Sequence, residues 1–190
     1  MKKRCLTILS VALLGLMLSA CSSNSNSNSS TTDTSSPGTS AEAGVNADAG
    51  KDAPAVESQL TVAQMSEDLL KQAEQPMLVD LTESDVKTLY HFDPSLLEEF
   101  SIKIPLMNVK TNELAVVKVK DAKDVKTVES AIKQRAADVQ KTFETYLPDQ
   151  YENAKNYKLV TKGNYVLFAI SEADTADKLT KQFDTYFKAE

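Results

Sequence analysis

The residue with the clearest chemistry is Cys21, the last of the run Leu18-Ser19-Ala20-Cys21. A thiol there can be alkylated to a diacylglyceryl thioether, and the small Ser19 and Ala20 before it let the chain enter a peptidase cleft. A branched apolar residue, two small residues and a cysteine form the bacterial lipobox pattern. The preceding residues agree with it. Lys2, Lys3 and Arg4 make a basic start, and Leu6 to Leu18 is an apolar stretch too short to span a bilayer comfortably. Residues 1–20 are therefore expected to be a lipoprotein signal peptide, with Cys21 as the lipid attachment site. Anchoring through acyl chains such as palmitate needs at least two chains, and a diacylglyceryl group supplies two.

The other reactive residue types are sparse. Cys5 leaves with the signal peptide, so beyond Cys21 there is no thiol, no disulfide and no cysteine-based metal site. His91 is the only histidine. It could serve as a general base or ligand, but its place before Asp93-Pro94 predicts a turn residue. The acidic pairs Glu98-Glu99 and Asp121/Asp124 could do acid–base or cation work. They lack a D-x-D-x-D-G loop and are expected to be solvated. No G-x-S-x-G or phosphate-binding glycine loop occurs, and Gly163 is the only glycine in the predicted domain. No catalytic residue, metal or cofactor is expected. Tyr146, Tyr151, Tyr157 and Tyr165 lie close in sequence. A surface of Tyr146, Gln150, Tyr151, Asn164 and Tyr165 is the candidate site for a sugar or peptide. The competing reading packs these rings at a helix–sheet junction with their hydroxyls at the rim.

The chain must supply elements to hold these groups. It has 190 residues, 42% of them hydrophobic and 25% charged. Residues 21–58 comprise the lipidated cysteine and a linker, almost wholly Ser, Asn and Thr at first and then rich in Ala, Asp, Gly and Pro. Such a composition buries little apolar surface and is expected to be disordered. As a flexible coil it would reach roughly 35 Å. Residues 59–190 are expected to be one globular domain, enough for a single core. Removing Lys2, Lys3 and Arg4 takes the 21 basic residues to 18 against 27 acidic ones, a net charge of −9. That charge disfavours nucleic acid and anionic lipid as partners.

Hydrophobic spacing predicts a helix after Thr61 with Met65, Leu69, Leu70 and Ala73 on one side and Pro76 closing it. A second helix spans Thr82 to Tyr90, capped by Thr82 or Ser84. Ser101 to Leu106 alternates with Ile102, Ile104 and Leu106 on one face, and Pro105 points to an edge strand or a bulge. In the next strand Ala115, Val117 and Val119 face the core, with Val116, Lys118 and Lys120 toward solvent. A long helix runs from about Ala122 to Leu147. Tyr157–Thr161 and Asn164–Ser171 form a hairpin around Lys162-Gly163, and a last helix carries Ala176, Leu179, Phe183 and Phe187. The expected fold is α+β and two-layered. Two β-β-α units form a four-stranded antiparallel sheet, with helices mainly on one face plus N-terminal helices.

Four motifs in order, Leu89-Tyr90-His91-Phe92-Asp93, Val117-Lys118-Val119-Lys120-Asp121, Tyr146-Leu147-Pro148-Asp149-Gln150-Tyr151 and Lys162-Gly163-Asn164-Tyr165-Val166, carry a resemblance. With the lipobox, they make about residues 60–188 resemble the domain-of-unknown-function family 4358, found largely in lipoproteins of Firmicutes. The resemblance implies an extracytoplasmic α+β domain and supplies no catalytic residues.

Together these observations predict a lipid-anchored extracytoplasmic lipoprotein on the cell membrane, acting as a non-enzymatic binding module for an envelope protein or polymer. The alternative is a small envelope hydrolase using carboxylates or His91. A two-lobed solute-binding protein is disfavoured by the size of the domain.

Overall fold

The computed structural model describes residues 56–187. The predicted signal peptide, Cys21 and the linker up to residue 55 lie outside these residues. The elements in chain order are α1 (Val62–Gln72), β1 (Leu78–Asp80), α2 (Glu83–Leu89), β2 (Leu97–Pro105), β3 (Glu113–Val119), α3 (Val125–Phe143), α4 (Pro148–Lys155), β4 (Lys158–Lys162), β5 (Tyr165–Ile170) and α5 (Ala173–Asp184). Short 3-10 turns precede β2 and α3.

Local chemistry sets the helix starts. The Thr61 hydroxyl accepts from the Gln64 N–H at 3.2 Å, and the Gln64 side chain accepts from the Thr61 N–H at 2.9 Å. This reciprocal capping box satisfies two otherwise unpaired donors of α1. Thr82 and Asp85 do the same for α2. Pro148 both follows α3 and opens α4 as a first-turn residue, where its missing N–H costs nothing. α3 stops at Phe143, short of the Tyr146-Leu147 at which Pro148 was expected to end it.

The α+β class and the antiparallel sheet are as expected, but the sheet has five strands, ordered β1-β2-β3-β5-β4. The added strand is β1, whose Leu78 pairs with Pro105 and Asp80 with Lys103. Three residues are too few to show alternation, so spacing could not reveal it. β2 is consequently an interior strand, and the edge reading of Pro105 is corrected. Pro105 is tolerated as the last residue of β2, and the register irregularity lies at the other end, between Leu97 and Glu99.

The two-layer expectation is also corrected, because helices cover both faces of the sheet. On one face Val86, Val128, Ile132, Ala136, Val139, Phe143 and Ala154 of α2, α3 and α4 pack on Ala115, Val117, Val166, Phe168 and Ile170. On the other, Val62, Met65 and Leu69 of α1 and Leu179 and Phe183 of α5 pack on Leu114, Val116, Tyr165, Leu167 and Ala169. β3 and β5 thus carry apolar residues on both sides, the continuous pattern of strands covered twice. Val116 is fully buried, against the solvent-facing expectation. Lys118, on the same face near the strand's end, reaches Glu98 at 3.1 Å while its stem stays covered. The two β-β-α units are not copies of one arrangement, since α3 and α5 lie on opposite faces.

Strand direction defines two ends of the sheet. Glu113 pairs with Ile170 at one end and Lys118 with Tyr165 at the other. The β4–β5 turn lies at the second end. It is formed by Gly163 and Asn164, one residue later than expected, because Lys162 already pairs with Tyr165. Gly163 takes φ 56°, and a Cβ there would meet the Val56 Cβ at 3.0 Å. Ser58 bridges to Phe187 at the same end. The described chain therefore enters the fold at the Gly163 end, opposite the β2–β3 loop.

Candidate functional site

At the end away from that entry, the β2–β3 loop from Leu106 to Asn112 crowns the sheet. Its neighbours hold it in place. The Leu106 N–H donates to the Met77 carbonyl at 3.0 Å, and the Lys110 N–H donates to the Met107 carbonyl at 3.2 Å. The Tyr146 hydroxyl donates to the Asn108 carbonyl at 3.1 Å. Tyr146 itself stacks on Phe143, with ring centroids 5.4 Å apart. Met77, Leu106, Met107, Val109 and Tyr146 remain 48% to 69% exposed, and they are the large exposed hydrophobic residues found among the described residues. They come from the segment before β1, the β2–β3 loop and the α3–α4 turn, yet form one apolar apex.

Polar groups lie beneath the apex. Gln150 is buried. Its side-chain oxygen accepts from the Thr111 N–H at 3.1 Å, and its carbonyl accepts from the Thr111 hydroxyl at 3.2 Å. Asn112 Nδ2 donates to Gln75 Oε1 at 3.0 Å and to Ser171 Oγ at 3.2 Å. Buried polar pairs of this kind specify one geometry, because breaking them leaves desolvated groups unpaired. They fix the C-terminal leg of the loop. Around the rim, hydrogen bonding from Gln150 holds the Asp149 carboxyl below its ordinary range, with Lys110 adding to the effect. Glu172 is also held below its ordinary value, first by its own backbone N–H and then by the Ser171 and Asn112 side chains.

Deeper in the same end, Glu113 faces Arg135 and Tyr90. Arg135 Nε donates to Glu113 Oε2 at 3.2 Å, and Arg135 Nη2 donates to Glu113 Oε1. The Tyr90 hydroxyl donates to Glu113 Oε2 at 2.9 Å. Burial pushes the Tyr90 phenol well above its usual pKa, and the Glu113 charge adds to that. Burial pulls Arg135 downward, but hydrogen bonding and charge from Glu113 outweigh it and raise its pKa.

His91 is the one non-glycine residue with positive φ, at 60°, among the described residues. It follows the α2 cap Tyr90, so it sits where a left-handed residue terminates a helix. The predicted turn role thus describes its backbone. Its Nε2 lies 2.6 Å from Asp138 Oδ2, both side chains being partly exposed. Hydrogen bonding with His91, and next with Gln134, holds Asp138 below its ordinary pKa against the effect of burial. The pair has the form of a base and its orienting carboxylate. No serine, threonine or cysteine donates to or accepts from the His91 ring among the described residues.

The acidic pairs are apart in role and place. Glu99 Oε2 accepts from the Val62 N–H at 2.9 Å, capping α1, while Glu98 pairs with Lys118. Asp121 lies 3.6 Å from Lys123, and Asp124 precedes α3. No group of three or more His, Cys, Asp or Glu side chains is arranged to hold a metal ion among the described residues.

The five residues of the sequence-based candidate surface do not come together. Tyr146 and Gln150 are at the apex, one on the surface and one buried below it. Tyr151 is half-buried on the α3/α4 face, with Lys155 Nζ 5.2 Å from its ring centroid. Asn164 and Tyr165 lie at the opposite end. The Asn164 carbonyl accepts from the Val119 N–H at 2.9 Å. Tyr165 is buried on the α1/α5 face, its ring 5.2 Å from that of Phe187. Sequence spacing did not gather Met77, Leu106, Met107 and Val109. The usable signal was the set of apolar residues Leu106, Met107 and Val109 directly after Pro105; alternation had placed Leu106 on the strand face of Ile102 and Ile104, but β2 ends at Pro105.

A family model described as Domain of unknown function (DUF4358) matches residues 71–171. The match spans all five strands, α2 to α4 and every apex residue. No curated protein and no solved structure matches the chain.

Proposed function

Since the chain belongs to the DUF4358 family, whose description assigns no activity, we propose from its own residues that it is a lipid-anchored extracytoplasmic module. In this reading it binds another envelope protein through the apolar apex. The observation that carries the binding role is the gathering of Met77, Leu106, Met107, Val109 and Tyr146 at one end of the sheet. Their exposure leaves on the order of 500 Å² of apolar surface in water, toward the upper end for a monomer's largest patch. The anchoring role rests on Cys21 and the residues before it.

The occupant is a protein segment presenting apolar side chains. A sugar site would use several stacked rings with polar groups, and the apex has one ring. Methionine and leucine instead offer a deformable surface that repacks around apolar partners. An anionic bilayer is disfavoured, because Lys110 is outnumbered by Asp149 and Glu172 at the rim. The chain also joins the fold at Val56–Ser58, the far end of the sheet. The second reading, a small hydrolase, would use His91 with Asp138. It lacks a nucleophile bonded to that pair among the described residues.

A photo-crosslinking side chain at Val109 in intact cells tests the reading, with Lys126 on α3 as an exposed control position. The expected result is one discrete protein adduct from Val109, absent from Lys126 and abolished by Leu106→Asp. Equal adducts from both positions, adducts with lipid alone, or an adduct of two copies of this chain would each overturn it.

A further inference from the structure

Of five methionines in the chain, three lie among the described residues. Met65 is fully buried between α1 and the sheet, whereas Met77 is 69% and Met107 48% exposed. Both exposed ones are at the apex, on segments joined by the bond from the Leu106 N–H to the Met77 carbonyl at 3.0 Å. Cys5 and Cys21 lie outside residues 56–187, so every exposed sulfur-bearing side chain among the described residues is in this one patch.

We propose that Met77 and Met107 are oxidation sites for hydroperoxides, and that their sulfoxides close the apex to apolar partners. The second half rests on the binding role proposed above; the first half does not. In each step the thioether sulfur donates a lone pair to the outer peroxide oxygen. The S–O bond forms as the O–O bond breaks, and the proton on the transferred oxygen passes to the departing oxygen. Sulfur is oxidised by two electrons to the sulfoxide, and the peroxide is reduced to water or an alcohol. The product is polar and chiral where the parent was apolar and flexible. In water the sulfoxide oxygen is solvated at no cost. Against an apolar partner it would be desolvated without a donor, which weakens binding by about tenfold for each site. Met65, with no exposed surface, serves as the internal reference.

Hydrogen peroxide applied to intact cells producing the full chain tests both halves. Peptide mass spectra should show one oxygen gained at Met77 and Met107 at least tenfold faster than at Met65. The Val109 adduct should fall in parallel, and methionine sulfoxide reductase treatment of isolated membranes should restore it. In a Met77→Leu/Met107→Leu variant the readout is the treated-to-untreated adduct ratio, which should stay near unity whatever the starting yield. Equal oxidation of Met65 would overturn the site assignment. An adduct that survives full conversion of both methionines, or one lost equally in the leucine variant, would overturn the effect on binding. Absence of any adduct before treatment would sink the binding role, while the mass spectra would still decide the oxidation sites.

Discussion

Glu113 is where the buried polar chemistry of the fold converges. Its side chain is only 2% exposed and is met by both Arg135 and Tyr90. A buried ion pair is weak evidence of net stabilisation, because desolvating two charges offsets their attraction. Removing one partner is different, since the other charge stays buried and uncompensated. Arg135→Met should therefore lower the unfolding free energy by about 3–5 kcal/mol, measured by urea denaturation. Adding Glu113→Leu should recover more than half of that loss, although Tyr90 then loses its acceptor. A loss below about 1 kcal/mol for Arg135→Met would mean that water already reaches Glu113. His91 shows the same need for full environment at a single position. Its place after a helix indicates a turn; its pairing with Asp138, on α3, is a tertiary fact.

Among the elements, the start of α5 links the sheet to the apex. Glu172 is the N-cap residue, and its carboxyl accepts from Ser171 Oγ at 3.0 Å and from Asn112 Nδ2 at 3.4 Å. Its pKa in the fold lies below its unfolded value of about 4.5. Between the two values the unfolded chain binds more protons, so stability falls as the pH drops through that window. Above the unfolded value the contribution is complete. Glu172→Gln should thus reduce the slope of stability against pH below about pH 4.5, read from urea midpoints across the acid range. The slope should not vanish, because Asp68 and Asp138 are also held low, by Tyr186 and His91 respectively. Identical slopes in both proteins would show that Glu172 is not so held.

At the scale of the whole molecule, anchor and apex are separate problems of the same chain. The chain carries a formal net charge of −6, and −9 if Lys2, Lys3 and Arg4 are removed, a balance that disfavours attachment to an anionic membrane surface by charge alone. No helix among the described residues is long and apolar enough to cross a membrane. The thioether on Cys21 is then the attachment that the lipoprotein reading requires. Cys21→Ala should release the domain from the membrane or block its processing, read by fractionation and the mass of the mature chain. A processed Cys21→Ala protein that stays with the membrane would refute the reading.

Much of the fold was legible because it depends on neighbours in sequence. Thr61 and Thr82 announce helices through side chains three residues on, Gly163 announces a turn through its missing Cβ, and the stripe Ala176, Leu179, Phe183 announces a buried helix face. These are short-range matters of backbone sterics and hydrogen bonding. What spacing could not decide is which remote segment covers which face. Lys118 and Lys120 made one side of β3 look wet, but Leu114 and Val116 on that side are sealed by helices from both ends of the domain. β1 exists because β2 offers it an edge, not because three residues prefer to be extended. Tyr165 was parted from Tyr151 and Tyr157 by the sheet, since its place on β5 turns it to the α1/α5 layer while the other two pack on the opposite one. The apex was assembled from three segments, none remarkable alone. The sequence by itself determined most of the elements, the acidity and the lipobox pattern ending at Cys21; only tertiary packing decided that β1 would form and where apolar side chains would be left without a cover.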